Sequence, residues 1–137
     1  MFGIFQRSFL RLEVEAAAPA IARSLQEPEQ FRQWLAPQQF AAGLPATLTP
    51  GREFTAHLGP VAIAHQVQVV QPDSLRLLLS GAVDGYHEWY WGDGWVQSRL
   101  EGVSLLPLNL IHTVALARLR AFAEAEQART GATAEAH

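Results

Sequence analysis

Residues 106–127 read LPLNLIHTVALARLRAFAEAEQ, a long stretch in which apolar residues recur at helical spacing. Leu108, Ile111, Ala115, Leu119 and Phe122 fall along one side at a period of about 3.6 residues, and His112 projects toward the same side. Arg118, Arg120, Glu124 and Gln127 lie toward the flanks and back. The spacing predicts one long C-terminal helix over residues 107–127. The following ARTGATAEAH is small and polar, so residues 129–137 are expected to form a flexible tail on a single domain of residues 1–128.

The chain before this helix has a different period. From Phe40 to Ser104 only short apolar alternations occur, separated by Pro-Gly, Gly-Pro, Pro-Asp and Gly-Asp-Gly. These read as turns between antiparallel strands, predicted over residues 40–48, 52–58, 61–70, 74–82, 86–91 and 95–103. In VAIAHQVQVV, residues 61–70, Val61, Ile63, Val67 and Val69 take one face with His65 among them. Further upstream, FLRLEVEA alternates Leu10, Leu12 and Val14 with charged residues, which predicts a half-buried first strand. Two short helices should follow it. Ile21 and Leu25 mark the first, opened by Pro19, and Phe31, Trp34 and Leu35 the second, in EPEQFRQWLAP.

The composition narrows the chemistry. At 137 residues the chain is about one domain, large enough to form a core without crosslinks. It has no cysteine, which removes disulfides and thiolate chemistry together. All ten basic residues are arginine, so lysine Schiff bases and a phosphate-loop lysine are excluded. The arginines are scattered among acidic residues at a net charge of -3, which argues against a nucleic-acid partner. No run approaches a transmembrane length and no leader pattern opens the chain, so a cytoplasmic protein is expected.

One strand, two short helices, a run of antiparallel strands and one long terminal helix is an order that resembles the START-like superfamily, the SRPBCC or helix-grip proteins. PAIARSLQEPEQFRQWL resembles that family's paired helices, LTPGREFTAHLGP the strand that follows, and WGDGWVQSRLEGVSLLPLNL the last strand running into the terminal helix. The resemblance covers residues 4 to about 127. It implies an α+β fold in which a curved antiparallel sheet of six to seven strands wraps the terminal helix, with an apolar cavity between them. It also implies three kinds of function: carriage of lipids or quinones, cyclisation or dehydration of polyketides, and contact with other proteins.

Within that frame the residues expected to line a ligand cavity are Ile63, His65, Val67, Leu77, Leu79, Trp89, Ile111, His112 and Ala115. His65 and His112 are the candidate general acid–base groups, each on an otherwise apolar face, with Glu88 or Arg99 joining them if the register turns them inward. Each histidine could equally be a core residue bonded to a carbonyl. The cluster YHEWYWGDGW, residues 86–95, leaves its register open. A three-residue loop Gly92–Gly94 sets Trp91 opposite Trp95, and a four-residue loop sets Tyr90 there; placing Trp89 inside is preferred. His87 shares the parity of Trp89, and His57 belongs on the outer face. No histidine pair has metal-ligand spacing, and Ser98 and Ser104 lack a nucleophile-elbow context. No metal and no cofactor are expected. The reading is a monomer or homodimer that binds an apolar or amphipathic small molecule, ahead of a cyclase or dehydratase and of a protein-interaction module.

Overall fold

The computed structural model describes residues 3–27, 30, 39–40 and 48–135. Strand β1 (Ile4–Glu13) is followed by helix α1 (Ala18–Gln26). Then come β2 (Gln39–Phe40), β3 (Glu53–Leu58), β4 (Val61–Gln71), β5 (Ser74–Gly81), β6 (Val83–Gly92), β7 (Trp95–Ser104) and helix α2 (Leu108–Glu135). The strands form one antiparallel, curved, seven-stranded sheet in the order β1-β7-β6-β5-β4-β3-β2. The architecture is the expected α+β helix-grip. The second expected short helix, and most of the strand expected over residues 40–48, fall outside the described residues.

Alternation decides which face of the sheet is buried. Ile63 and Val67 of β4, Leu75, Leu77 and Leu79 of β5, Trp89 and Trp91 of β6, and Val96 and Leu100 of β7 share the inner face and are buried. Burying side chains of this size contributes about 1.5–3 kcal/mol each, which makes this face the main source of stability. The alternation slips once. A β-bulge between Val67 and Val69 sets Val69 opposite the outward Arg76, so Val70, opposite Leu75, takes the inner place expected for Val69. Curvature needs close backbone approach where Gly85 of β6 faces Gly102 of β7, since a Cβ on Gly85 would collide with the Glu101 carbonyl oxygen.

α2 packs on β1, β7 and α1. Its buried stripe is Leu108, His112, Ala115, Leu116, Leu119 and Ala123, rotated from the expected side so that Ile111 and Phe122 are half-buried at its flank. The helix also continues to Glu135, through residues expected as a tail.

The β6–β7 hairpin matches neither register drawn from the sequence. Gly92 pairs with Trp95 and Trp91 with Val96 across a two-residue loop, Asp93-Gly94, with Gly94 at φ +84°. Gly92 is what admits this pairing: a Cβ there would lie 2.6 Å from Trp95 Nε1, so the indole occupies the space of the absent side chain. The loop also supplies what α1 lacks. Ala17, at its N-terminal cap, has no side-chain oxygen to offer, and Asp93 Oδ1 instead accepts from the Ala18 N–H at 2.7 Å.

Candidate functional site

Antiparallel pairing gathers the inner-face candidates in rows. Val67, Leu77 and His87 lie across β4, β5 and β6 in one row, His65 and Leu79 in the next, and Ile63 beyond them. Trp89 follows His87 on the same face, and the two rings stack with centroids 3.7 Å apart. From α2, His112 enters this face edge-on to His87 at 5.1 Å and is fully buried. Ala115 is buried beside it, whereas Ile111 stays half-buried.

The hydrogen bonds fix how each imidazole is used. Asn109 Nδ2 donates to Ser8 Oγ at 3.1 Å, and Ser8 Oγ lies 2.7 Å from His112 Nδ1. His112 Nε2 lies 2.8 Å from Ser98 Oγ, which donates to the Glu88 carbonyl at 3.0 Å. One direction satisfies every partner: Ser8 O–H donates to Nδ1, and Nε2–H donates to Ser98. His112 is therefore neutral, with both nitrogens engaged. Because the Ser98 proton is committed to a carbonyl, His87 Nε2, 3.2 Å from Ser98 Oγ, must also be a donor. The Nδ1 of His87 then keeps a lone pair with no partner among the described residues. His65 works in the mirror sense: its Nδ1 donates to the Ile63 carbonyl at 3.1 Å, leaving Nε2 as the acceptor, while its ring stacks on Phe54 at 4.7 Å.

Burial holds all three rings neutral. Desolvation pulls His65 and His112 down to about 4. It pulls His87 well below its usual value, helped by the proximity of His112 and His65. The site is thus two acceptor nitrogens, His65 Nε2 and His87 Nδ1, set in an apolar and aromatic wall.

Several residues fall elsewhere. Glu88 and Arg99 point to the outer face, where Glu88 pairs with Arg76 at 2.8 Å and the Arg99 guanidinium lies 5.4 Å over the Phe9 ring. They take no part in the site. His57 is exposed on the outer side. Ser104 donates to the Ala82 carbonyl and accepts from the Leu106 N–H, a brace at the turn into α2. Ser8 and Ser98 carry the network, yet sequence reasoning passed over Ser8 and weighed Ser98 only as a nucleophile. Their signal was a small polar residue on the apolar side of a strand, Ser8 in phase with Leu10 and Leu12, and Ser98 with Val96 and Leu100. Among the described residues no group of three or more side chains is placed to hold a metal ion, and no helix is long and apolar enough to cross a membrane.

No family model matches the sequence, and no curated protein matches it. Solved structures do. A protein from Chromobacterium violaceum superposes with a TM-score of 0.71 at 15% identity, over 86% of this chain and 96% of that one. DynU16, from the dynemicin biosynthetic locus, gives 0.64 at 16%, over 88% of this chain and 48% of that one. Norcoclaurine synthase from Thalictrum flavum, in complex with dopamine and hydroxybenzaldehyde, gives 0.61 at 14%, over 89% and 86%. A seven-stranded antiparallel sheet gripping one long helix is the helix-grip architecture. The chain has the START-like, or SRPBCC, fold.

Proposed function

We propose that the protein binds an apolar or amphipathic small molecule, such as a lipid, quinone or polyketide, between the inner face of the sheet and α2. The observation that carries this reading is a pair of imidazole nitrogens, His65 Nε2 and His87 Nδ1, on an otherwise apolar wall and without a hydrogen-bond partner among the described residues. Both rings are half-buried, and a ligand hydroxyl entering beside them would pair with these acceptors. Neutral acceptors also select. They favour a molecule presenting O–H groups and disfavour a carboxylate, which brings only acceptors of its own. The norcoclaurine synthase neighbour holds two small hydroxylated aromatic molecules, a ligand chemistry that would suit such nitrogens. Ile63, His65, Val67, Leu77, Leu79, Trp89, Ile111, His112 and Ala115 are the proposed contacts, and His87 joins them.

Native mass spectrometry and extraction of protein purified from its own host test this directly. A bound molecule is expected, and hydroxylated aromatic compounds should change tryptophan fluorescence more strongly than fatty acids. His87→Ala should weaken that binding roughly 3- to 10-fold, the worth of one hydrogen bond. An empty protein whose fluorescence is unmoved by quinones, sterols, fatty acids and aromatic polyketides would end the proposal.

The second reading is a cyclase or dehydratase that uses these histidines as acid and base. Its support is the free lone pair of His87. Against it, a general base works best with a pKa near the working pH, and all three rings sit well below that. His112 has no free nitrogen for the task and serves to position Ser98 and His87. If a polyketide is nevertheless turned over, His87→Ala or His65→Ala should lower the rate by roughly 10²–10⁴-fold while affinity changes far less.

A further inference from the structure

The sheet has two edges of different character. At one, two residues of β2 are described; at the other, β1 runs ten residues in unbroken register against β7. Natural edge strands are usually blunted by lysine, proline, a bulge or an inward charge. β1 has none of these, though it carries the outward charges Arg7, Arg11 and Glu13, of both signs, and it exposes Ile4 (70%), Phe5 (59%) and Phe9 (54%).

The direction of its free backbone groups follows from one bond. The Val14 N–H donates to the Gly94 carbonyl at 2.9 Å, in phase with the β1–β7 register, so Leu12, Leu10, Ser8 and Gln6 turn their backbone groups toward β7. Phe5, Arg7, Phe9, Arg11 and Glu13 turn theirs to the open edge. Just past the strand the same parity is closed by α2: the N–H groups of Glu15 and Ala17 donate to Glu124 Oε2 and Gln127 Oε1 at 2.8 and 2.9 Å. Among the described residues, the edge left uncovered is therefore residues 5–13.

We propose that this edge pairs with β1 of a second copy of the chain, antiparallel and centred on Leu10. That register is self-complementary. Arg7 faces Glu13 of the second copy and Phe9 faces Arg11, each twice by symmetry, and all of these residues exchange backbone hydrogen bonds. Leu10 meets its own mate on the inner side. Arg7, already 3.3 Å from Glu101, would sit between two carboxylates, and Arg11 would lie between Trp95 and a phenylalanine. The neighbouring registers that keep the faces matched fail: centring on Phe9 opposes Arg7 to Arg11, and centring on Arg11 opposes that residue to itself. A foreign strand has no reason to carry this pattern, and a second copy carries it by identity.

Sedimentation velocity on the wild type, Arg7→Glu, Glu13→Arg and the double swap decides the matter, with circular dichroism confirming that each is folded. The wild type should be a dimer at about 100 µM, and each single swap should weaken association roughly 10-fold or more, because attraction becomes repulsion at both symmetric sites. The double swap should restore it, and an equimolar mixture of the single variants should form a heterodimer. A monomeric wild type overturns the proposal. So does a dimer indifferent to either swap, or a double swap no better than the singles. Should Arg7→Glu not fold, Glu13→Arg gives the decision alone, since Glu13 has no ion pair among the described residues.

Discussion

Acidification from pH 6.5 to about 4 is expected to remove much of the protein's folding stability, well before general acid denaturation. The sign follows from the direction of the shifts. His65, His87 and His112 all have folded-state values below the ordinary 6.5, so the folded protein resists protons that the unfolded chain accepts. Their stability contribution is complete above pH 6.5 and is lost as pH falls toward about 4. For the fully buried His112 the drop amounts to roughly 3 kcal/mol over that window. His65 and His87 add to it. Against a typical total of about 5–15 kcal/mol, that is a substantial share of the stability. Urea denaturation between pH 7 and 4.5 measures this. The slope should reveal net proton uptake on unfolding below pH 6.5, reduced in His65→Gln, while a stability independent of pH across that range would refute the buried neutral cluster.

How far this cluster was legible in the sequence depends on how local each signal was. The alternation around Ile63, His65 and Val67 and the helical period of residues 108–122 are properties of one segment, and they placed His65 and His112 on buried faces without knowledge of any partner. The bulge after Val67 is not a property of one segment. It exists because β4 supplies one more residue than β5 opposes, so nothing in VAIAHQVQVV marks the point where Val70 replaces Val69. The hairpin register had the same difficulty: it turned on whether Gly92 belonged to the loop or to the strand, and the answer lies in the indole of Trp95 needing its surface. The orientation of His87 hung on that register, and with it the Ser98 bridge to His112. A chain such as Asn109, Ser8, His112, Ser98 joins both ends of the sequence, and only strand order brings its members within reach. The open edge of β1 was likewise invisible, because a strand's place in the sheet is not written in its own residues.

The aromatic cluster gives the other large effect. Trp91→Ala is expected to cost about 3–5 kcal/mol of stability whether or not any ligand is present. Trp91 is 2% exposed, packed opposite Val96 behind the hairpin, and its indole N–H has no acceptor, so the ring is held by shape and area alone. Trp89 is nearly as buried, and its N–H is also unpaired, but it carries His87 on its face. Trp89→Ala should therefore produce a comparable stability loss together with weaker ligand binding, because His87 loses the surface that sets its Nδ1. Phenylalanine separates volume from polarity. At either position it removes the unpaired donor along with part of the ring, so the relief of a buried unsatisfied N–H, about 1–3 kcal/mol, offsets much of the cavity penalty. Chemical denaturation of the four variants, with fluorescence titration of the Trp89 pair, reads both quantities. If Trp91→Ala stayed within about 1 kcal/mol of the wild type, the ring could not be core, and the inner face would have to be open space at that depth.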